Sequence, residues 1–231
     1  MPDGDAIDLA NFEREGYAFH AGSFVAHAQC LGLANEFETI GSAGARHLLD
    51  CVSVQSLLRE PALRSAVHAI LGRDAFAYKA TLFDKREKAN WLVAWHQDIS
   101  IPVAGRLDIA GWQGWSIKDQ VQYVQPPDYI LSTLVALRLH LDPCENDNGP
   151  LRVLARSHTL GKLRQAEMAA MAQRFPAHSV TGGAGSALLM RPLLIHASSK
   201  ATPPGRRRVL HLEFAAIDLP DGLDWHRRVY L

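Results

Sequence analysis

His96 and Asp98 stand two apart in "AWHQDIS", residues 94–100. In an extended strand, residues i and i+2 project from the same face. An imidazole and a carboxylate would then leave together from a segment whose flanks, Trp95 and Ile99, read as half-buried. Such a pair can be two ligands of one metal ion or an ordinary hydrogen-bonded pair, and the spacing alone does not separate the two. The far end of the chain adds a third group. In "RPLLIHASSKATPPGRRRVLHLEF", His196 closes an apolar run, a Pro-Pro-Gly turn follows, and then a strongly alternating strand. Two imidazoles and one carboxylate from different strands could form a facial triad, which leaves three positions open on one side of an Fe(II) ion. A zinc site would favour cysteine, and none of the three cysteines lies near these residues.

Iron held in this way needs two electrons to activate dioxygen. 2-Oxoglutarate can supply them by chelating the metal through its 1-carboxylate and 2-keto oxygen, and its far carboxylate then needs a fixed cation. Arginine suits that task because its planar fork makes two charge-assisted bonds. On the alternating strand Arg207, Val209 and His211 share one face and Arg208, Leu210 and Leu212 the other. The register therefore favours Arg207 over Arg206 and Arg208, although a slip of one residue would reverse the choice. A solvated basic cluster is the plain alternative for "GRRR". Ser198, two past His196, can donate a further hydrogen bond to the same carboxylate.

Four residues are candidate substrate contacts: Arg138, His140, Gln97 and Trp112. Arg138, His140 and Asp142 alternate with leucines in "LRLHLD", so either the polar set or the leucines face the interior. Gln97 must face away from its two neighbours and reads as a supporting hydrogen-bond partner. Trp112 and Trp115 lie in "VAGRLDIAGWQGWSIKDQ", a stretch with little periodicity, where they would either close over a substrate or anchor the loop. His158 and His211 read as satisfied polar residues. "CENDNG" reads as a turn that uses Asn and Gly for left-handed geometry, and calcium binding is set aside because the ligand spacing of a calcium loop is absent.

The elements that must position these groups follow from pattern. "SFVAHAQCLGLANEFETIG" has helical spacing and stops at Gly41, and "SVQSLLREPALRSAVHAILG" reads as helical turns, a new helix at Pro61 and a stop at Gly72. From Phe76 onward, short runs such as "FAYKATLF", "TLVALRLHLD" and "RVLHLEFAAI" read as strands, interrupted by one helix in "LRQAEMAAMAQRF". That pattern implies a sandwich or small barrel with helices on one outer face. The expected organisation is one domain. Residues 1–75 form a largely helical preamble, 76–215 the β core with a lid loop at about 103–120, and 216–231 a C-terminal tail. The chain has 231 residues, 48% of them hydrophobic, with zero formal net charge. That balance argues against nucleic acid or an anionic membrane as partner. Three widely spaced cysteines and an acidic, polar start fit reduced thiols in a cytoplasmic protein.

"LFDKREKANWLVAWHQD", "LRLHLDPCENDNGPLRVLARSHTLGKL" and "IHASSKATPPGRRRVLHLEF" together resemble the phytanoyl-CoA dioxygenase family of Fe(II)/2-oxoglutarate oxygenases, over roughly residues 76–215. The resemblance implies a mainly β fold with flanking helices, the double-stranded β-helix (a jelly roll of cupin-like form). It implies His96, Asp98 and His196 as catalytic iron ligands, Arg207 and Ser198 as holders of the 2-oxoglutarate carboxylate, and dioxygen as co-reactant. One departure is visible: Ala155-Arg156 precede Ser157-His158 where members commonly carry Pro-Gly. The expected reaction is hydroxylation of a small molecule. Desaturation, epoxidation and ring closure stay open, whereas radical halogenation needs Ala or Gly where Asp98 stands. A barrel that binds without turnover, or a metal-dependent cupin of other chemistry, is the competing class. Only the oxygenase requires Arg207.

Overall fold

The computed structural model describes residues 7–39, 44–202 and 205–231. The helix stop expected at Gly41, and Pro203 and Pro204 of the expected turn, lie outside the described residues. Helix α1 (Leu9–Glu15) starts where the Asp8 carboxylate accepts the Asn11 N–H and stops at Gly16, with φ 81°. Only glycine adopts that backbone without cost, and an Asp at the cap satisfies a free helix donor. Strand β1 (Tyr17–His20), α2 (His27–Glu36), β2 (Gly44–Ala45) and α3 (Val52–Leu58) follow. Pro61 opens α4 (Pro61–Leu71) at its first turn, and Gly72, φ 86°, ends it.

The long strand β3 (Phe76–Lys85) leads to β4 (Val93–His96) and β5 (Ile101–Val103). Next come β6 (Gln113–Lys118), β7 (Val121–Gln125), α5 (Asp128–Leu131), β8 (Val135–His140) and β9 (Leu151–Val153). Helix α6 (Gln165–Arg174), β10 (His178–Val180), β11 (Ala187–Met190), β12 (His196–Ser198), β13 (Arg207–Ala215) and β14 (Val229–Tyr230) complete the chain.

The strands form a large antiparallel sheet in the order β1-β11-β8-β13-β3-β14, with β2 also on β3, a smaller sheet β10-β9-β12-β4, and a three-stranded sheet β5-β7-β6. This is a mainly β jelly roll with open sheets and flanking helices. Alternation decides what each face of the large sheet does. Leu137 and Leu139 of β8 and Leu210 and Leu212 of β13 bury against Leu57 of α3 and Leu63 and Val67 of α4. Each such leucine contributes about 1.5–3 kcal/mol by leaving water. The same strands turn Arg138, Arg207, His211 and Glu213 inward, and these stay buried without joining that apolar cluster.

Three boundaries differ from expectation. The stretch 103–120 is not loop throughout, because Gln113–Lys118 form β6. A two-residue turn at Asp119 (φ 48°) and Gln120 (φ 66°) joins it to β7. Two successive left-handed residues are the geometry of a tight hairpin. Its polar and glycine content hid the strand from a hydrophobic pattern. The preamble supplies β1 to the large sheet on β11, and the tail supplies β14 on β3, because both edges needed pairing. At the departure from the family pattern, Arg156 adopts φ 67°. A glycine would take that conformation freely. The Arg156 guanidinium is bound to the Glu15 carboxylate at 3.0 Å.

Candidate metal centre and anion pocket

β12 and β4 run antiparallel with His196 directly opposite His96, which brings the two rings to 4.0 Å between centroids. The turn after β4 carries Asp98 to the same point, anchored where its N–H donates to the Pro192 carbonyl. Asp98 Oδ1 lies 3.8 Å from His96 Nε2, and its Oδ2 lies 3.5 Å from His196 Nε2. The three ligand atoms are all within 4.8 Å of one another.

Hydrogen bonds to the backbone fix the tautomers. His96 Nδ1 meets the Ala94 carbonyl at 2.9 Å and His196 Nδ1 meets that of Leu194 at 2.8 Å. A carbonyl only accepts, so in the neutral rings Nδ1 carries the proton and each Nε2 turns its lone pair to the shared point. Burial, with His96 beside it, brings the pKa of His196 down to about 3, so it is neutral at pH 7. Burial alone would raise Asp98, but the surrounding His196, His211 and His96 hold it well below the usual carboxylate range. Two imidazole lone pairs and a carboxylate converging without a proton between them fit a divalent cation, and the N₂O donor set without thiolate fits iron.

A third imidazole stands beside this cluster. His211 Nε2 is 3.6 Å from Asp98 Oδ2, but Arg138 Nη1 lies 3.2 Å from its Nδ1. Arginine only donates, so Nδ1 accepts, the proton sits on Nε2, and that nitrogen has no lone pair for a metal.

The pocket beside the cluster is lined by Arg138, Arg207, Lys85, Ser198, Phe83 and Trp91 together with His96, Asp98 and His196. Its cations are buried: Lys85 is 2% exposed, Arg207 5% and Arg138 8%. Among the described residues none of the three has a carboxylate partner. Lys85 Nζ donates to Ser198 Oγ (3.1 Å) and the Ser199 carbonyl (2.5 Å), and Arg207 Nε to the Asn148 carbonyl (3.2 Å). Burial, then Arg207 and Arg138, lower Lys85 to about 8, and burial, then Arg207, lowers Arg138 to about 10. Buried charge of one sign is costly unless a counter-ion arrives. This end of the lumen is built for an anion.

The other candidates fall elsewhere. Arg206 pairs with Asp84 and Glu38, and Arg208 with Asp142 at 2.7 Å, both away from the pocket. His140 faces inward but is held by Ser186 Oγ at 3.0 Å and is absent from the pocket wall. Of the two roles the sequence offers for Gln97 and Trp112, substrate contact or support, the structure shows the support. Gln97 braces loops, donating to the Gly161 and Leu193 carbonyls and accepting from the Leu163 N–H. Trp112 packs in an apolar cluster with Phe76, Tyr78 and Trp225, which anchors its loop. Sequence reasoning missed Lys85 and the buried pair Lys79–Glu213 (2.6 Å). The signal was available: Lys85 sits opposite Arg207, and Lys79 opposite Glu213, on two strands whose inward positions alternate in step.

The comparisons with known proteins agree with this architecture. The family model for phytanoyl-CoA dioxygenase matches residues 12–209. An L-proline trans-4-hydroxylase of Streptomyces griseoviridis is 27% identical over 206 residues, covering 75% of this chain and 68% of its own. Among solved structures, EctD from S. alaskensis with 2-oxoglutarate and 5-hydroxyectoine superposes with TM-score 0.67 at 18% identity, over 90% of this chain and 74% of that one. HygX from Streptomyces hygroscopicus with iron bound gives 0.63 at 14% identity, over 90% and 84%. These two likenesses are of fold. Among the described residues no helix is long and apolar enough to cross a membrane.

Proposed function

The chain belongs to the phytanoyl-CoA dioxygenase family and is a 2-oxoglutarate-dependent non-haem iron oxygenase, and from that premise we propose that His96, Asp98 and His196 hold the iron while Lys85, Arg207 and Ser198 hold the far carboxylate of 2-oxoglutarate. The observation that carries this reading is a pocket whose three buried cations have no carboxylate paired with them among the described residues, and which shares its walls with an N₂O triad. A dianion chelating a metal at one end and salt-bridged at the other answers both features at once.

The reaction we assign is hydroxylation of a small molecule: R–H, 2-oxoglutarate and dioxygen give R–OH, succinate and carbon dioxide. Bound iron supplies the redox chemistry. The chain's own residues orient and exclude. The Ala94 and Leu194 carbonyls keep both imidazoles in the ligating tautomer. Ser198 Oγ holds Lys85 Nζ beside Arg207, so the carboxylate finds two fixed cations. Phe83 and Trp91 wall the pocket and limit water. A small-molecule substrate agrees with the small molecules, L-proline and 5-hydroxyectoine, that the relatives' names carry. The test is iron loading and 2-oxoglutarate decarboxylation in Asp98→Ala. At least ~100-fold weaker iron binding is expected, because even supporting residues of a metal site are worth ~10–100-fold. Unchanged loading would refute the assignment.

A further inference from the structure

The turn that orients two of the metal ligands is itself held by the N-terminal helix. Residues 191–194 form a β-turn, closed where the Leu194 N–H donates to the Arg191 carbonyl at 3.0 Å, with Pro192 at the position that suits its fixed φ. The carbonyls of the turn do the orienting. That of Pro192 accepts the Asp98 N–H, that of Leu194 accepts from His196 Nδ1, and that of Leu193 accepts from the side chain of Gln97, which stands between the two ligands of β4 and its turn. A shift of this turn would move Asp98 and His196 together.

Helix α1 grips the turn at both ends. At its start the Arg191 N–H donates to the Gly16 carbonyl at 2.9 Å. The Arg191 guanidinium pairs with Glu13 at 2.5 Å and lies over the Phe12 ring, 4.9 Å from the centroid. Phe12 is fully buried, so that seat is fixed. Just past the turn, the Ile195 N–H donates to Ser157 Oγ at 2.8 Å and the Ile195 carbonyl accepts the Leu154 N–H. Ser157 follows Arg156, whose N–H donates to the Glu15 carbonyl and whose guanidinium pairs with the Glu15 carboxylate. His158 Nε2 donates to the Glu13 carbonyl at 3.1 Å. Its ring lies so close to Gly16 that a Cβ there would come within 2.3 Å of Nδ1.

Arg156 stands at φ 67°, where a side chain is strained and glycine is not. What the side chain gains is the bond to Glu15, which glycine could not make. An ion pair as exposed as this one adds little to overall stability. Its place, one residue before the serine that holds Ile195, gives it an effect on the site instead.

We propose that α1 is a clasp for the metal centre, with Arg191 and Arg156 as positioning residues: through the turn 191–194 and through Ser157 they hold Asp98 and His196 at the spacing a divalent cation needs. The inference rests on the assignment of His96, Asp98 and His196 to the metal.

The test uses the metal-free full chain and Co(II), whose ligand-field bands report the geometry of its ligands. Co(II) affinity, the band positions and, without metal, hydrogen exchange of the Asp98 amide by NMR are compared in wild type, Arg191→Gln, Arg191→Lys, Arg156→Gly and the control Arg208→Gln. Arg191→Gln should bind Co(II) about tenfold more weakly, with shifted bands and faster Asp98 exchange, because supporting residues of a metal site are worth ~10–100-fold. Arg191→Lys keeps a cation beside Glu13 and should recover part of the loss. Arg156→Gly relieves the backbone while removing the bond to Glu15, so its unfolding temperature should hold or rise while Co(II) affinity falls ~5-fold, just under that range. Arg208→Gln loses an ion pair elsewhere and should keep wild-type values. Wild-type affinity and exchange in Arg156→Gly, whatever Arg191→Gln does, would overturn the inference alone, as would the same result in a folded Arg191→Gln. Equal losses in Arg208→Gln would also overturn it, since any missing ion pair would then do the same. Failure of the wild type to bind Co(II) would overturn the triad assignment and this inference with it.

Discussion

Arg206 and Arg208 each meet a carboxylate outside the jelly roll, Asp84 and Asp142 respectively, whereas Arg207 between them turns inward and, like Arg138 and Lys85, meets none among the described residues. Three arginines in a row thus divide between two regions of different design. On the outer side, charges are neutralised within the chain and tie β13 to the end of α2 through Glu38 and the Ala34 carbonyl. On the lumen side, charge is left uncompensated on side chains that are almost wholly buried. Folding alone would not select that arrangement. On the proposed reading, the difference separates residues that hold the fold from residues that bind the cosubstrate.

Substitutions on the two faces test that contrast. The largest effect belongs to the triad: His196→Ala should lower iron affinity by at least ~100-fold, read by metal titration, with the folded far-ultraviolet spectrum kept. Next comes Arg207→Ala. Losing one or two charge-assisted bonds, each about 1.5–3 kcal/mol, should weaken 2-oxoglutarate about 100-fold while iron loading stays intact. Lys85→Met should cost about tenfold and also remove a pH dependence. Lys85 is lowered to about 8 in the ligand-free protein, so it is cationic below that pH and neutral above it. Wild-type affinity for 2-oxoglutarate should therefore fall as pH rises through about 8, and the variant's should stay flat, measured by calorimetry on either side of that pH. The smallest effect on the cosubstrate belongs to the outer face. Arg208→Gln should lower stability by about 1–2 kcal/mol in urea unfolding and leave 2-oxoglutarate binding unchanged. A loss of cosubstrate affinity there would erase the distinction between the two regions.

The strands carrying the site were legible because their alternation is strong. Along "RRVLHLEF" and "LRLHLD" the ladder turns Arg138, His140, Arg207, His211 and Glu213 inward while the leucines and Arg208 face the other way. Whether the polar or the leucine face of "LRLHLD" was interior could not be read from either strand alone. It was decided by helices α3 and α4, which cover the leucines. The hairpin β6–β7 stayed hidden because its outward face is polar and its turn relies on Asp119 and Gln120 rather than glycine. Gln97 and Trp112 each carried two readings in the sequence, a substrate contact or a support, and both are occupied in holding loops in place. Lys85 was missed because its meaning depends on the partner across the ladder, Arg207, which lies far later in the chain.

On the proposed reading the inward cations, and not the outer ones, hold the cosubstrate beside an N₂O iron site. The most direct test of that reading is an anaerobic titration of the Fe(II)-loaded protein with 2-oxoglutarate, followed by the weak visible charge-transfer band, in wild type, Arg207→Ala and Arg208→Gln. A saturable band is expected in wild type and Arg208→Gln alike, with a midpoint about 100-fold higher in Arg207→Ala. Equal midpoints in wild type and Arg207→Ala, or a loss confined to Arg208→Gln, would contradict it.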